Sequence, residues 1–289
     1  MGFVVEESSN SLGAFLRARR GVVDPGTVRL PDHRERRVPG LRREEVAFLS
    51  GVSPHYYARL EQGRNRNPSP AVLDALARAL QLDEVMTAHL HVLAEAPPVG
   101  RRRVPEPETI RPELKRMVEA WTEQPAAVIG RHRDVLAANE LATLLNEGFT
   151  PGRNLMRDIF LDPVARDLYR DRDTVARGVV ASVRATADAD DPRLIELVGE
   201  LSARSEEFRE IWARHDVHVR TDGLKHYNNP FVGEIAVNYH SFAVIGSPGQ
   251  TLYLFSADPG SPAERSLRQL AGMTRHRDGE NRPPHEEER

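Results

Sequence analysis

The sequence predicts two domains: a mainly α N-terminal head of five helices containing a helix-turn-helix, and an α+β C-terminal domain with one antiparallel sheet. Three observations carry this reading. Two short amphipathic helices, Leu41–Ser50 and the one opening after Ser53, are broken by Gly51. Residues 95–112 carry five prolines and a run of three arginines, the composition of a semi-stiff linker. From His215 onward the apolar period changes from helical to two.

Composition bounds the rest. A chain of 289 residues with 39% hydrophobic and 29% charged content is ordinary for a two-domain globular protein. It has no cysteine, which excludes disulfides, thiol catalysis and thiolate-ligated zinc or iron–sulfur sites. No apolar run reaches membrane length and no secretory leader opens the chain, so a cytoplasmic location without a membrane partner is expected. The net charge is −3, yet residues 12–67 hold twelve arginines against six acids, a local +6 suited to a polyanion. Only Lys115 and Lys225 are lysines, so the preference for arginine is global and is not itself a sign of phosphate binding.

Taken in order, residues 1–10 are polar and expected to be a flexible N-terminus, and the head is expected over 11–94. Leu12–Arg20 reads as a helix with Leu12, Phe15 and Leu16 inward and Arg17, Arg19 and Arg20 outward. The connection Gly21–Gly40 is long for a bundle; Arg34, Arg36 and Arg37 in it form either a basic arm or a solvated loop. Ala47, small and four residues before Gly51, permits a close crossing. Ser53 is an N-cap and Pro54 suits the first helical position, where no N–H is needed. Ser53, Tyr57 and Leu60 share an inward face; His55, Tyr56 and Arg59 share an outward, hydrogen-bonding one. That pattern fits a helix entering a DNA groove, against the plainer reading of a helical hairpin. Glu61, acidic in a basic region, is expected to hold arginines inside the fold. Arg64, Asn65 and Arg66 make a donor-rich turn; Ser69-Pro70 and Asp83 open two further helices. His89 and His91 point to different faces, which argues against a metal pair.

After the linker, the second domain is expected over 113–275, with a disordered tail at 276–289. Glu113–Glu123 is a helix burying Leu114, Met117, Val118 and Trp121. Ala126–Gly130 and Val135–Ala137 are short strands, followed by a helix over Asn139–Leu145 and helices through Arg214. Val217 and Val219 alternate with polar neighbours, Asp222-Gly223 signals a hairpin, and Ile235, Val237 and Tyr239 alternate again. Thr251–Ser256 is the last strand and Pro262–Ala271 the closing helix, giving a sheet covered on one face.

These phrases carry a resemblance. R-V-P-G-L-R-R-E-E-V-A at 37–47, Y-Y-A-R-L-E-Q-G at 56–63 and N-P-S-P-A-V-L-D-A-L-A-R-A-L at 67–80 resemble the lambda-repressor-like, Xre-type helix-turn-helix. R-N-L-M-R-D-I-F at 153–160, E-L-S-A-R-S-E-E-F-R-E-I-W-A-R-H at 200–215 and N-P-F-V-G-E at 229–234 resemble MmyB-like transcriptional regulators of actinobacterial type. The resemblance implies a PAS-like ligand-binding and dimerisation domain, a double-stranded DNA operator, a homodimer and a small apolar, fatty-acid-like effector. It sets Pro54, His55 and Arg59 at base-contacting positions, with Ser53 near the backbone. Arg42 and Arg43, at the start of the preceding helix, suit phosphate contacts. Two departures stand out: Ala138 replaces a usual Trp and Asn229 a usual His.

For ligand contact the candidates are Asn139, Arg153, Asn154, Trp212, His215 and Tyr239, with Arg153 pairing to Asp158 and packing by Trp212 as the plainer alternatives. No cofactor is expected. Two rival readings remain: a DNA-binding adaptor whose second domain takes a protein partner, and a metal-dependent hydrolase using His215, His218, His226 and His240. The second is disfavoured because His215 and His218 would lie on opposite strand faces, and no hydrolase motif is present.

Overall fold

The computed structural model describes residues 11–30, 39–65, 67–94, 108–186 and 191–280. In chain order these form α1 (Ser11–Val22), α2 (Arg43–Ser50), α3 (Pro54–Glu61), α4 (Pro70–Ala79), α5 (Glu84–Ala94) and α6 (Pro112–Glu119). There follow β1 (Ala126–Ile129), β2 (Val135–Ala138), α7 (Glu140–Leu145), α8 (Leu155–Leu161), α9 (Pro163–Leu168), α10 (Arg172–Thr186), α11 (Pro192–Arg204) and α12 (Glu206–Ala213). The chain closes with β3 (Asp222–Asn229), β4 (Gly233–Ala243), β5 (Thr251–Ser256) and α13 (Pro262–Glu280). The flexible N-terminus (1–10), the arm arginines Arg34, Arg36 and Arg37, Arg66, most of the linker and residues 281–289 lie outside the described residues.

The chain forms two compact units, 1–106 with 180–219, and 107–179 with 220–289. In the first, α1–α5 close around Phe15, Leu16, Leu41, Val46, Ala47, Tyr57, Leu60, Leu76, Leu80 and Leu90, all essentially inaccessible. The helix starts follow the predicted chemistry at Ser53, whose hydroxyl accepts from the Tyr56 amide at 3.1 Å, and at Asp83, which accepts from Met86 at 2.8 Å. Ser69 departs from it: its side chain makes no capping bond, and Pro70 alone opens α4. Gly51 ends α2 at φ 69, the left-handed conformation a break of this kind requires.

Residues 180–219 join this unit through Val217 and Ala185, which pack on the helical core. Arg19 is buried, not outward as α1's periodicity suggested, because its Nη1 donates to Asp216 Oδ1 at 2.8 Å. Arg20 also turns inward. The expected strand at Val217–Val219 is absent: residues 216–221 have no regular structure, and Val217 is core.

In the second unit the five strands make one antiparallel sheet in the order β2-β1-β5-β4-β3. Asp222-Gly223 is not the hairpin turn; both residues pair, with His240 and Tyr239, and the chain reverses instead at Pro230–Val232. Asn229 fastens that reversal. Its Oδ1 accepts from the Phe231 and Val232 amides at 2.9 and 3.1 Å, while Nδ2 donates to Leu144 and Leu145 carbonyls. The expectation of one covered face fails at β1, which is buried at all four positions. Ala126 and Val128 pack with Val118 of α6 and with Leu252 and Leu254, and alternate residues necessarily meet the opposite layer. α7 adjoins the sheet at β1 and α13 at β4. Met117 is exposed and Trp121 lies past the end of α6, so that helix is shorter than expected. The last helix is longer, running to Glu280 through the start of the expected tail.

Candidate functional site

On α3 the side chains of His55 and Arg59 are exposed, one turn apart, while Tyr57 and Leu60 are buried. His55, Ala58, Arg59, Gln62 and Arg64 line one open depression. The turn beyond α3 is set by a single carbonyl: Arg59 O accepts from the Arg64 amide at 2.9 Å and from Asn65 at 3.3 Å. Gly63, at φ 68, lets the chain reverse there. Arg64 is thereby placed beside Arg59, and neither has an ion-pair partner among the described residues. Gln62 was not among the predicted contacts; its spacing of three from Arg59 is the signal that places it on this face. Tyr56, expected outward, is partly buried against the helical core.

The remaining basic residues split by role. Glu61, fully buried, accepts from Arg20 Nε at 2.7 Å and from Arg43 Nε at 2.6 Å. Burial alone would raise its pKa; the hydrogen bonds and charges of Arg20 and Arg43 outweigh that and hold it below the usual carboxylate range. Arg43, expected to be a phosphate contact, therefore spends its Nε inside the fold, although nearly half of its side chain remains exposed. Arg42 precedes α2, and its amide donates to Glu45 at 2.6 Å.

The six expected ligand residues are not one constellation. Three are fully engaged in holding the second unit together. Asn139 caps α7, accepting from Ala142 and Ala126 amides and donating to Trp121 and Gln124 carbonyls, all at 2.7–3.1 Å. Asn154 caps α8 in the same manner and donates to His132 O and Asp134. Arg153 pairs with Asp158, Asp162 and Glu147, the plainer alternative, and its hydrogen bond to Asp158 leads in raising its pKa. Trp212 and His215 belong to the first unit. There Arg184 lies 3.9 Å over the Trp212 ring and its Nη1 meets His215 Nδ1 at 3.0 Å. Tyr239 alone faces the inner layer of the sheet among side chains with spare hydrogen-bonding capacity.

A helix-turn-helix on a five-helix head, joined to an α+β domain, defines a DNA-binding transcription regulator. Residues 11–90 match a helix-turn-helix domain and residues 110–270 match the MmyB-like transcription regulator ligand binding domain, so the chain belongs to the MmyB-like transcription regulators. No curated protein matches the chain. No described helix is long and apolar enough to cross a membrane, and no cluster of three metal-ligating side chains occurs among the described residues.

Proposed function

We propose that this regulator reads a double-stranded operator with α3 as a homodimer in the cytoplasm, and that a small organic ligand in the second unit modulates that binding without any enzymatic step. The observation that carries the reading is the depression shared by His55 and Arg59 of α3 with Gln62 and Arg64 of the turn that follows it. Arg59 and Arg64 face outward there with no ion-pair partner among the described residues, while the neighbouring Arg20 and Arg43 are held by Glu61. Arg59 is assigned to a guanine edge, with Pro54 and His55 alongside, and Arg64, Asn65 and the exposed part of Arg43 to phosphates. Ser53 keeps its capping task next to the backbone.

Residues 180–219 suggest how a ligand would be felt. They lie inside the stretch matched by the ligand-binding family model, yet pack with the reading head, and α10 carries the chain from one unit into the other. The ligand is taken to be fatty-acid-like in size and apolarity, within a PAS-like domain. Capture of genomic fragments by the full chain, with and without cell extract, tests both halves. Recovery of a defined sequence, altered by extract, is expected; no retained fragment at low salt would overturn the reading.

A further inference from the structure

The C-terminal half of α1 is held from two sides. On one, Arg20 Nε donates to Glu61 Oε1 at 2.7 Å and Arg17 Nη2 to the Glu61 carbonyl at 3.4 Å, both at the end of α3. On the other, Arg19 Nη1 donates to Asp216 Oδ1 at 2.8 Å. Arg19 is 8% exposed, its Nε is buried without a partner, and Asp216 is its one acidic partner among the described residues. A guanidinium at that depth is costly unless a carboxylate completes it, so the resting place of α1 is tied to Asp216. Arg19 and Arg20 are consecutive on one helix, about 100° apart around its axis, and move as one body.

Asp216 is itself firmly presented. Arg184 of α10 donates Nη2 to the Trp212 carbonyl at 2.8 Å, and its Nη1 meets His215 Nδ1 at 3.0 Å. His215, at φ 52, turns the chain there, and Val217, fully buried, is seated in the helical core. Arg214 Nε meets the other carboxylate oxygen at 3.3 Å from the more exposed side. Asp216 is absent from the lining of the depression beside α3, so any effect it has on DNA binding passes through the fold.

We propose that Asp216 is a positioning residue for operator recognition: through Arg19 it fixes α1, and through Arg20 and Glu61 it holds α3 in the pose that reads bases. This rests on the reading of α3 as the DNA-contacting helix, and it names the residue by which the segment 180–219 acts on that helix.

The full chain is titrated onto the genomic fragment that the wild type retains, and onto a scrambled duplex of the same composition, at several salt concentrations. Asp216→Asn, which keeps the shape and removes the charge, is expected to weaken the fragment about tenfold, the scale of coupling through a packed network. It should leave the scrambled duplex and the salt slope unchanged, because no phosphate contact is lost. A mere loss of folded protein would weaken both duplexes by the same factor. Arg19→Met should match Asp216→Asn, and the double variant should lose no more than either alone. Arg214→Ala, which cuts only the outer contact to the same carboxylate, should change neither duplex. Should Asp216→Asn not fold, Arg19→Lys, which keeps the charge but shortens the reach, should lose several-fold on the fragment alone. An unchanged preference in these variants, or an equal loss on both duplexes, would overturn the positioning role, and α3 stands as the reader if Arg59→Ala still relaxes the preference. A wild type that binds both duplexes equally would overturn both.

Discussion

Arg43 of the first helix of the helix-turn-helix and Glu61 at the end of the second are joined by a 2.6 Å hydrogen bond from Nε to Oε2, and Arg20 of α1 closes on the other oxygen. One buried carboxylate thus ties three helices together, and the exposed face of α3 is held in place through it. The residue's charge is useful because both donors are committed to it.

Glu61→Ala is therefore expected to lower the stability of the head by on the order of 3 kcal/mol, since it takes the carboxylate from the largely buried Arg20 and releases Arg43, whose side chain is nearly half exposed. The pH dependence has a definite sign. Glu61 titrates below its unfolded value of 4.5, so its contribution is present above that pH and lost as pH falls through the folded value. Urea midpoints across acid pH measure both effects. An unchanged midpoint in Glu61→Ala would remove the carboxylate from this role. Arg43→Ala should move stability as well as DNA affinity, so its binding curves need the folding baseline beside them.

Arg59 and Arg64 should separate cleanly in DNA binding. Arg59→Ala is expected to cost roughly 1–3 kcal/mol on the operator and relax preference at one base pair. Arg64→Ala is expected to weaken all sequences alike and reduce the salt slope by about 1. Titrations on a substituted operator series at several salt concentrations distinguish them. Retained preference in Arg59→Ala would retire that residue as a base reader.

Asn139 shows a sequence candidate becoming a structural part. Its amide satisfies two carbonyls and two backbone N–H groups in a site that is 2% exposed. Asn139→Ala leaves those groups unmatched and should destabilise the second unit by roughly 3 kcal/mol. Asn139→Asp should also destabilise it, because an ionised carboxylate cannot donate to the Trp121 and Gln124 carbonyls. Thermal unfolding of the two variants checks this; a midpoint within a degree of wild type for either would contradict the accounting.

Local chemistry made much of the fold legible. Gly51, Ser53-Pro54 and the Tyr57–Leu60 spacing place α2 and α3, because caps, left-handed glycines and one-sided burial act within a few residues. Long-range pairing was not legible. The inward turn of Arg19 depends on Asp216, 197 residues away, and Val217 joins the helical core because of where its segment docks. The same limit acts on Asn139 and Asn154, which drew attention by composition and proved to be caps.

His215 gives the pH response of that docked segment. Its ring is pushed down to about 3, first by burial and then by the charges of Arg184, His89 and Arg19; His89 is likewise pushed to about 4. Arg184 donates to Nδ1, so the folded state holds the neutral imidazole. The unfolded chain, with an ordinary value of 6.5, binds the proton first. Stability is therefore fully present above pH 6.5 and lost progressively as pH falls from there toward the folded value. At pH 5 this amounts to about 2 kcal/mol for one such histidine. The backbone at His215 has φ 52, a left-handed conformation that asparagine tolerates, so His215→Asn removes the titration with little backbone strain. Urea midpoints at pH 7.5 and pH 5.0 should show a smaller fall for His215→Asn than for the wild type. If the two proteins lose the same amount, the proton is going elsewhere, and the neutral His215–Arg184 contact is not what acid disrupts.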